Sequence, residues 1–303
     1  MKTMAIDGGH CTAKLIYGAR NIDSLAKMND HSVDCVVTSP PYWALRDYGA
    51  DGQVGLEVTP DAYVQELTSI FREVRRVLTD TGTLWLNLGD TYKNKQLMGI
   101  PWRVAFALQD DGWILRQEII WHKPNPMPES VTDRCTKASE SIFLFAKSPA
   151  YFFDAASIRE ENAGSLPYGD KKNFKMNDDR AQGRHGKNSM FSGGSRQEYI
   201  EKYYMNGRNR RSVWSITTTP FAGAHFAVFP EEIPRLAILA GCPSGGTVLD
   251  PFSGSGTTGK MAMKLGRNYV GLDLNEEYLD LAERRVSPLK SDVVEDDDQL
   301  EMF

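Results

Sequence analysis

Short β-branched and aromatic runs alternate along most of this chain with stretches of helical period. Ala13–Gly18, Val33–Val37, Gly82–Leu88, Ile114–Trp121, Ser141–Ala146, Thr247–Asp250 and Asn268–Leu272 read as strands. Between Pro60 and Leu78 the apolar residues Tyr63, Leu67, Ile70, Phe71, Val74, Val77 and Leu78 recur at helical spacing. With a proline near its start, that stretch predicts a helix. Shorter helices are predicted over Asn21–Met28, Pro101–Asp110, Glu231–Ala240, Thr257–Leu265 and Glu276–Val286. Strand alternating with helix implies an α/β fold with a mostly parallel sheet covered on both faces. Ile114–Trp121 and Ser141–Ala146 are close enough in sequence to pair with each other.

The alternation breaks at about Asp154 and resumes after Arg211. Glycine, asparagine, lysine, arginine and isolated aromatics dominate in between, as in Gly207-Arg208-Asn209-Arg210-Arg211. The segment is too long for an ordinary loop. It reads either as a partly disordered excursion or as a recognition segment suited to phosphates and exposed bases. The chain carries a formal charge of −5, which taken alone argues against a nucleic-acid partner. Its distribution changes the picture. Residues 159–211 hold 12 Lys/Arg against 7 Asp/Glu, whereas 292–301 hold 6 acids and no base. A basic island in an acidic body is compatible with a polyanion.

Composition is otherwise that of a globular protein, 41% hydrophobic and 25% charged. Cys11, Cys35, Cys135 and Cys242 show no CxxC spacing, and neither a disulfide framework nor a metal site is suggested. The N-terminus lacks the apolar core of a signal peptide, and no apolar run approaches a membrane span. A soluble, cytoplasmic protein in a reducing compartment is the expectation.

Candidate chemistry lies at two strand ends. Val33–Val37 runs into Thr38-Ser39-Pro40-Pro41-Tyr42-Trp43, where two prolines stop the strand abruptly and stiffen its tip. Carbonyl acceptors on this rigid tip, beside an aromatic pair, suit a planar amine. The second strand end, Thr247–Asp250, leads into Pro251-Phe252-Ser253 and then Gly254-Ser255-Gly256-Thr257-Thr258-Gly259. This is a GxGxxG pattern between strand and helix, with Asp273 ending the next strand to meet ribose hydroxyls. A phosphate-binding P-loop is disfavoured, because Met261 stands where a Mg²⁺-binding Ser/Thr is needed. An NAD-dependent oxidoreductase needs a second mononucleotide half, and only 44 residues follow Gly259. Asp250 would repel a pyrophosphate and attract a cationic amino or sulfonium group. The ligand suggested is a positively charged mononucleoside, and S-adenosyl-L-methionine fits.

Together, Thr38-Ser39-Pro40-Pro41-Tyr42-Trp43 and, far downstream, Asp250-Pro251-Phe252-Ser253-Gly254-Ser255-Gly256-Thr257-Thr258 resemble the amino-group (N4-cytosine/N6-adenine) DNA methyltransferases. The motif order is that of the family's β group. Leu45–Gly49, Gly82–Asp90, Trp121–Pro128 and Phe229–Glu231 also fit, and the resemblance spans roughly residues 13 to 286.

The resemblance implies a circularly permuted, Rossmann-like methyltransferase sheet with an inserted target-recognition region. Residues 13–153 would be the catalytic half, 154–212 the target-recognition insertion, 213–287 the cofactor half and 288–303 an acidic tail. The Ala13–Gly18 strand would lie beside the C-terminal one. Ser39, Pro40, Pro41 and Tyr42 would be catalytic, Tyr42 stacking on a base drawn out of double-stranded DNA, with Trp43 stacking or nearby. Asp250, Phe252, Gly254, Gly256, Thr257, Thr258 and Asp273 would bind S-adenosyl-L-methionine. Serine at the first motif position goes mostly with cytosine N4 and aspartate with adenine N6, so cytosine is favoured over adenine. The family's usual acid after the first strand's glycine is Ala19 here, and Asp23 is the nearest substitute. Asp90 and His122 read as turn caps or site residues, and Lys123 as a phosphate contact or a solvated side chain. A DNA-binding module without catalysis stays open, as does action on RNA or protein amides. The terminal Gln299-Leu300-Glu301-Met302-Phe303 resembles the short peptides that dock on bacterial sliding clamps.

Overall fold

The computed structural model describes residues 1–47, 49–161, 207–218 and 229–287. The chain divides into two units, residues 1–153 with 212–303, and residues 154–211. Most of the basic segment, and the whole acidic tail with Gln299–Phe303, lie outside the described residues.

The larger unit is built on a nine-stranded sheet. Its strands are β1 (Lys2–Asp7), β2 (Thr12–Tyr17), β3 (Val33–Thr38), β4 (Leu78–Leu88), β7 (Ile114–His122), β8 (Ser139–Ala146), β9 (Val213–Ser215), β10 (Thr247–Asp250) and β11 (Asn268–Asp273). The spatial order is β1-β2-β11-β10-β3-β4-β8-β7-β9. Strands β2, β11, β10, β3 and β4 run parallel. β8 is antiparallel to both β4 and β7. The first core strand lies beside the last, with Tyr269 opposite Ala13. The circular permutation is therefore present in the strand order.

Among the described residues the α-helices are α1 (Asn21–Leu25), α2 (Pro60–Val77), α3 (Ile100–Asp110), α4 (Glu232–Gly241), α5 (Thr257–Lys264) and α6 (Leu279–Val286). α2 buries six of the seven apolar residues its period singled out, and the seventh, Leu78, begins β4. The Thr59 hydroxyl caps it by accepting from the Ala62 N–H at 3.2 Å. None of the described helices is long and apolar enough to cross a membrane.

Three pieces escape the sequence reading. β1 is a largely exposed edge strand, so its pattern carries little burial signal. β9 has three residues, paired with β7 through Trp214 opposite Trp121. The hairpin β5 (Tyr92–Lys93) and β6 (Gln96–Leu97) turns on Asn94 and Lys95, both at positive φ. Such a turn usually announces itself by Asn-Gly, and lysine hides it.

Of the smaller unit, the described residues show how its two ends are tied. Glu160 pairs with Arg208 in an isolated bridge, and its carboxylate also holds the Arg211 guanidinium. The Arg210 guanidinium donates to the Ile158 carbonyl.

Candidate active site

In the order above, β10 and β3 are neighbours whose chain connections leave in opposite directions. That is a topological switch point, where α/β sheets bind ligands beyond the carboxyl ends of their strands. Val248 and Leu249 pair with Cys35 and Val36, so the strand leading to Ser39 and the one leading to Gly254 end side by side. Both loops line one cavity of about 640 Å³. Ser39, Pro40, Pro41 and Tyr42 face it from one side, and Asp250, Phe252, Gly254, Thr257 and Asp273 from the other.

The two motifs are bonded to each other through Asp250. Its buried carboxylate accepts from the Thr38 hydroxyl at 2.6 Å, the Thr258 hydroxyl at 2.7 Å and the Phe252 N–H at 3.0 Å. Thr258 thus acts from beneath the loop, between Asp250 and the Val37 carbonyl. Both Asp250 oxygens are engaged, so its pull on a cationic ligand acts through charge. Asp273 accepts from the N–H groups of Gly254 at 2.7 Å and Asn275 at 2.9 Å. Burial pushes the carboxyl pKa of each up to about 6, and for Asp250 the charge of Asp273 adds to the rise.

Gly254 and Gly256 adopt φ of 49° and 78°, left-handed conformations that glycine enters without steric cost. The loop is fixed from below by buried tyrosines. The Tyr17 hydroxyl lies 2.8 Å from Ser253 Oγ and 2.9 Å from the Gly254 carbonyl oxygen, and Tyr269 reaches the same serine at 2.8 Å. Thr257, 3% exposed and lining the cavity, has a buried hydroxyl with no partner among the described residues. An orphaned hydroxyl, two carboxylates and a backbone loop open to the cavity suit a nucleoside bearing positive charge.

At the β2 end of the cavity the lining residues are Arg20, Asn21 and Ile22. Asp23 is exposed and lines no part of it, whereas Asn21 does.

The Ser39–Tyr42 side holds more than its motif announced. The Tyr63 hydroxyl donates to the Pro41 carbonyl at 2.8 Å, tying the tip to α2, while no described residue donates to the Pro40 carbonyl. The Tyr42 hydroxyl donates to Glu140 Oε2 at 2.7 Å. Asn87 Nδ2 donates to the Tyr42 oxygen at 2.6 Å and to Glu140 at 3.0 Å. Lys123 closes the cluster as an ion pair with Glu140, its ammonium lying 4.3 Å from the centre of the Trp121 ring. Burial raises the Glu140 carboxyl pKa, but the Lys123 charge and the hydrogen bonds outweigh it and hold the group below the ordinary glutamate value. Burial pushes the Tyr42 phenol well above its usual range. The tyrosine ring lies so close to Gly89 that an added Cβ there would stand 2.4 Å from Cε2. Only glycine permits that approach.

Four sequence expectations are sharpened or corrected. Trp43 does not stack at the site: it is 2% exposed, sits in the core and donates to the Glu57 carbonyl at 2.8 Å. A ring with no free face has nothing to offer a base. Asp90 is a cap, its carboxylate accepting from the N–H groups of Gly99 and Ile100 at the start of α3. His122 Nδ1 lies 2.8 Å from Ser215 Oγ and does not line the cavity. Lys123 belongs to the cavity, beside Glu140. Asn87 and Glu140 were missed. Asn87 is the one polar residue in Leu84-Trp85-Leu86-Asn87-Leu88, a legible signal. Glu140 opens an apolar strand, and its importance follows only from that strand being antiparallel, which brings its start to the ligand edge.

A family profile described as DNA methylase matches residues 33–284. The chain is 42% identical over 304 residues to the type II methyltransferase M.SmaI of Serratia marcescens, covering 91% of each protein. It is 44% identical over 299 residues to M.XycI of Xanthomonas campestris pv. cyanopsidis, covering 89% of this chain and 86% of the relative. Among solved structures, the cytosine-N4-specific PvuII DNA methyltransferase shares the fold with a TM-score of 0.66 at 18% identity, covering 92% of this chain and 87% of that one. A DNA modification methylase of Thermus thermophilus, solved with S-adenosyl-L-methionine and described as putative, has a TM-score of 0.56 at 23% identity, covering 91% and 97%. With a cofactor-type loop bonded through Asp250 to a Ser-Pro-Pro-Tyr tip, and relatives of this identity along nearly its whole length, the chain belongs to the amino-group (N4/N6) DNA methylase family.

Proposed function

We propose that this protein is a type II DNA methyltransferase acting on the exocyclic N4 amine of a cytosine drawn out of duplex DNA. The observation that carries the reading is the shared cavity, where the Ser39–Tyr42 tip and the Phe252–Thr257 loop face each other from adjacent strands. Asp250, Phe252, Gly254, Gly256, Thr257, Thr258 and Asp273 build the seat for S-adenosyl-L-methionine, whose sulfonium supplies an already electrophilic methyl group. The chain's own task is then alignment. The amine lone pair is delocalised into the base ring. Acceptors at Ser39 Oγ and the Pro40 carbonyl take up the amine hydrogens and turn the lone pair out of conjugation. The Tyr42 ring stacks on the base, an interaction worth about 1–3 kcal/mol, comparable to the cost of extruding it. Positioning and fixed dipoles supply the rest.

Ser39 favours cytosine over adenine by the family's motif preference. Incubating unmethylated genomic DNA with the protein and S-adenosyl-L-methionine, then digesting to nucleosides for mass spectrometry, is expected to yield N4-methylcytosine. N6-methyladenine as sole product would overturn the cytosine reading. Residues 154–212 are proposed to read the target sequence through their basic and aromatic side chains, in a protein resident with DNA in the cytoplasm.

Gln299–Phe303, on its acidic tether, is proposed to dock on a bacterial sliding clamp. Immobilised clamp is expected to retain the full-length protein and to release a form truncated after Asp298. Equal retention of both, or of neither, removes the idea.

A further inference from the structure

The Ser39–Tyr42–Glu140 hydrogen bonds run in one direction, and methyl transfer to an amine has a proton to dispose of. Ser39 Oγ donates toward the Tyr42 hydroxyl across 3.3 Å, and that hydroxyl donates to Glu140 Oε2 across 2.7 Å. The first distance is long for an O–H···O bond and makes this the weaker link of the two. Asn87 sets the direction. If its carbonyl oxygen faced the cluster, it would oppose the Glu140 carboxylate at 3.0 Å, so the NH₂ points there and the carbonyl oxygen is left buried without a partner among the described residues. The same NH₂ donates to the Tyr42 oxygen at 2.6 Å and also lies 3.3 Å from Ser39 Oγ, so the tyrosine oxygen acts as an acceptor and its own proton is aimed at Glu140. Lys123 pairs with the other carboxylate oxygen, Oε1.

Resting on the methyltransferase reading, we propose that Glu140 is the terminal acceptor of a proton relay that runs from the target amine through Ser39 and Tyr42. As the amine lone pair forms the new N–C bond, the S–C bond breaks and its electron pair stays on sulfur. One N–H bond of the now cationic nitrogen then breaks, its electron pair returning to nitrogen. That proton passes to Ser39 Oγ, the serine proton to the Tyr42 oxygen and the tyrosine proton to Glu140 Oε2. The net change in the protein is one carboxylate converted to a carboxylic acid, which later releases the proton to water. The tyrosine is never left as a phenolate, which its burial would make costly. A nitrogen carrying a methyl group, two hydrogens and a positive charge is a strong acid, so even a weakly basic carboxylate can take its proton.

Tyr42 therefore has a hydroxyl function separable from its stacking face. In single-turnover assays with tritiated S-adenosyl-L-methionine and amplified, unmethylated bacterial DNA, Tyr42→Phe and Glu140→Gln are each expected to slow transfer about a hundredfold, the lower end for a lost acid–base group. Cofactor and DNA affinities should stay within about twofold of the wild type. The double variant should be no slower than the slower single one, since both break the same relay. Glu140→Asp should recover part of the rate. Wild-type speed in Tyr42→Phe, or losses that multiply in the double variant, would overturn the relay. The phenylalanine variant keeps the ring, which guards the test against a Glu140→Gln protein that fails to fold. An inactive wild type would instead remove the methyltransferase reading, and the relay with it.

Discussion

Replacing Tyr42 with alanine is expected to abolish methyl transfer while S-adenosyl-L-methionine binding survives. The ring lies across Gly89 and lines the cavity on the side of the Ser39–Pro41 tip, away from the glycine loop. Stacking alone accounts for about 1–3 kcal/mol per base, a factor of roughly 5 to 150 in rate. Losing the hydroxyl as well removes the path from Ser39 to Glu140, so the combined loss should reach about five-hundredfold or more. Calorimetric titration with the cofactor should show near-native affinity, because no Tyr42 hydrogen bond reaches the Phe252–Thr257 loop. Unchanged turnover in this variant would refute the stacking role. A parallel loss of cofactor binding would mean that the two halves of the site are not separable.

Cofactor affinity is expected to weaken as pH falls through about 6, the value to which burial lifts both Asp250 and Asp273. The sign follows from linkage. An acid whose pKa is higher in the folded than in the unfolded state is protonated more readily when folded. The free protein therefore gains stability as pH drops from about 6 toward the ordinary aspartate value, and at neutral pH it carries two poorly solvated carboxylates. A sulfonium and an amino group bind the ionised form better and relieve that cost. With a pKa near 6, one carboxylate at pH 5 is ionised roughly a tenth of the time. Affinity should therefore fall about tenfold between pH 7 and pH 5 if one group is coupled, and up to about a hundredfold if both are. Equilibrium dialysis across this range measures it, and a flat profile would exclude the charge-based role. Asp273→Asn should flatten part of the slope. Asp250→Asn should do so as well and also loosen the joint between the loops, because an amide cannot accept from Thr38, Thr258 and Phe252 in the way a carboxylate does.

That joint marks where the sequence stops being informative. Apart from β1, β9 and the β5–β6 hairpin, the described strands and helices of the larger unit are legible locally, because hydrophobic period, proline and glycine act within a few residues. The Ser-Pro-Pro-Tyr tip and the glycine loop are legible for the same reason. Their partnership is not, since 212 residues separate Thr38 from Asp250. The sequence could suggest that Asp250 attracts a cation but not that its oxygens are already bonded to threonines from two elements. Trp43 illustrates the opposite error. Beside Tyr42 it looks like part of one aromatic surface, yet the chain turns sharply there and sends the two rings to different places, Trp43 into the core and Tyr42 to the cavity.

By itself, then, the sequence determined an α/β sheet, two chemically loaded strand ends and a basic interruption, because each is written in neighbouring residues. Strand order decided the rest. Placing β10 beside β3 turned two distant motifs into one cavity, and running β8 antiparallel brought Glu140 to the ligand edge among Tyr42, Asn87 and Lys123. The physical reason is that a side chain's charge and hydrogen bonds depend on what is buried against it. In this sheet those neighbours come from strands far apart in the chain.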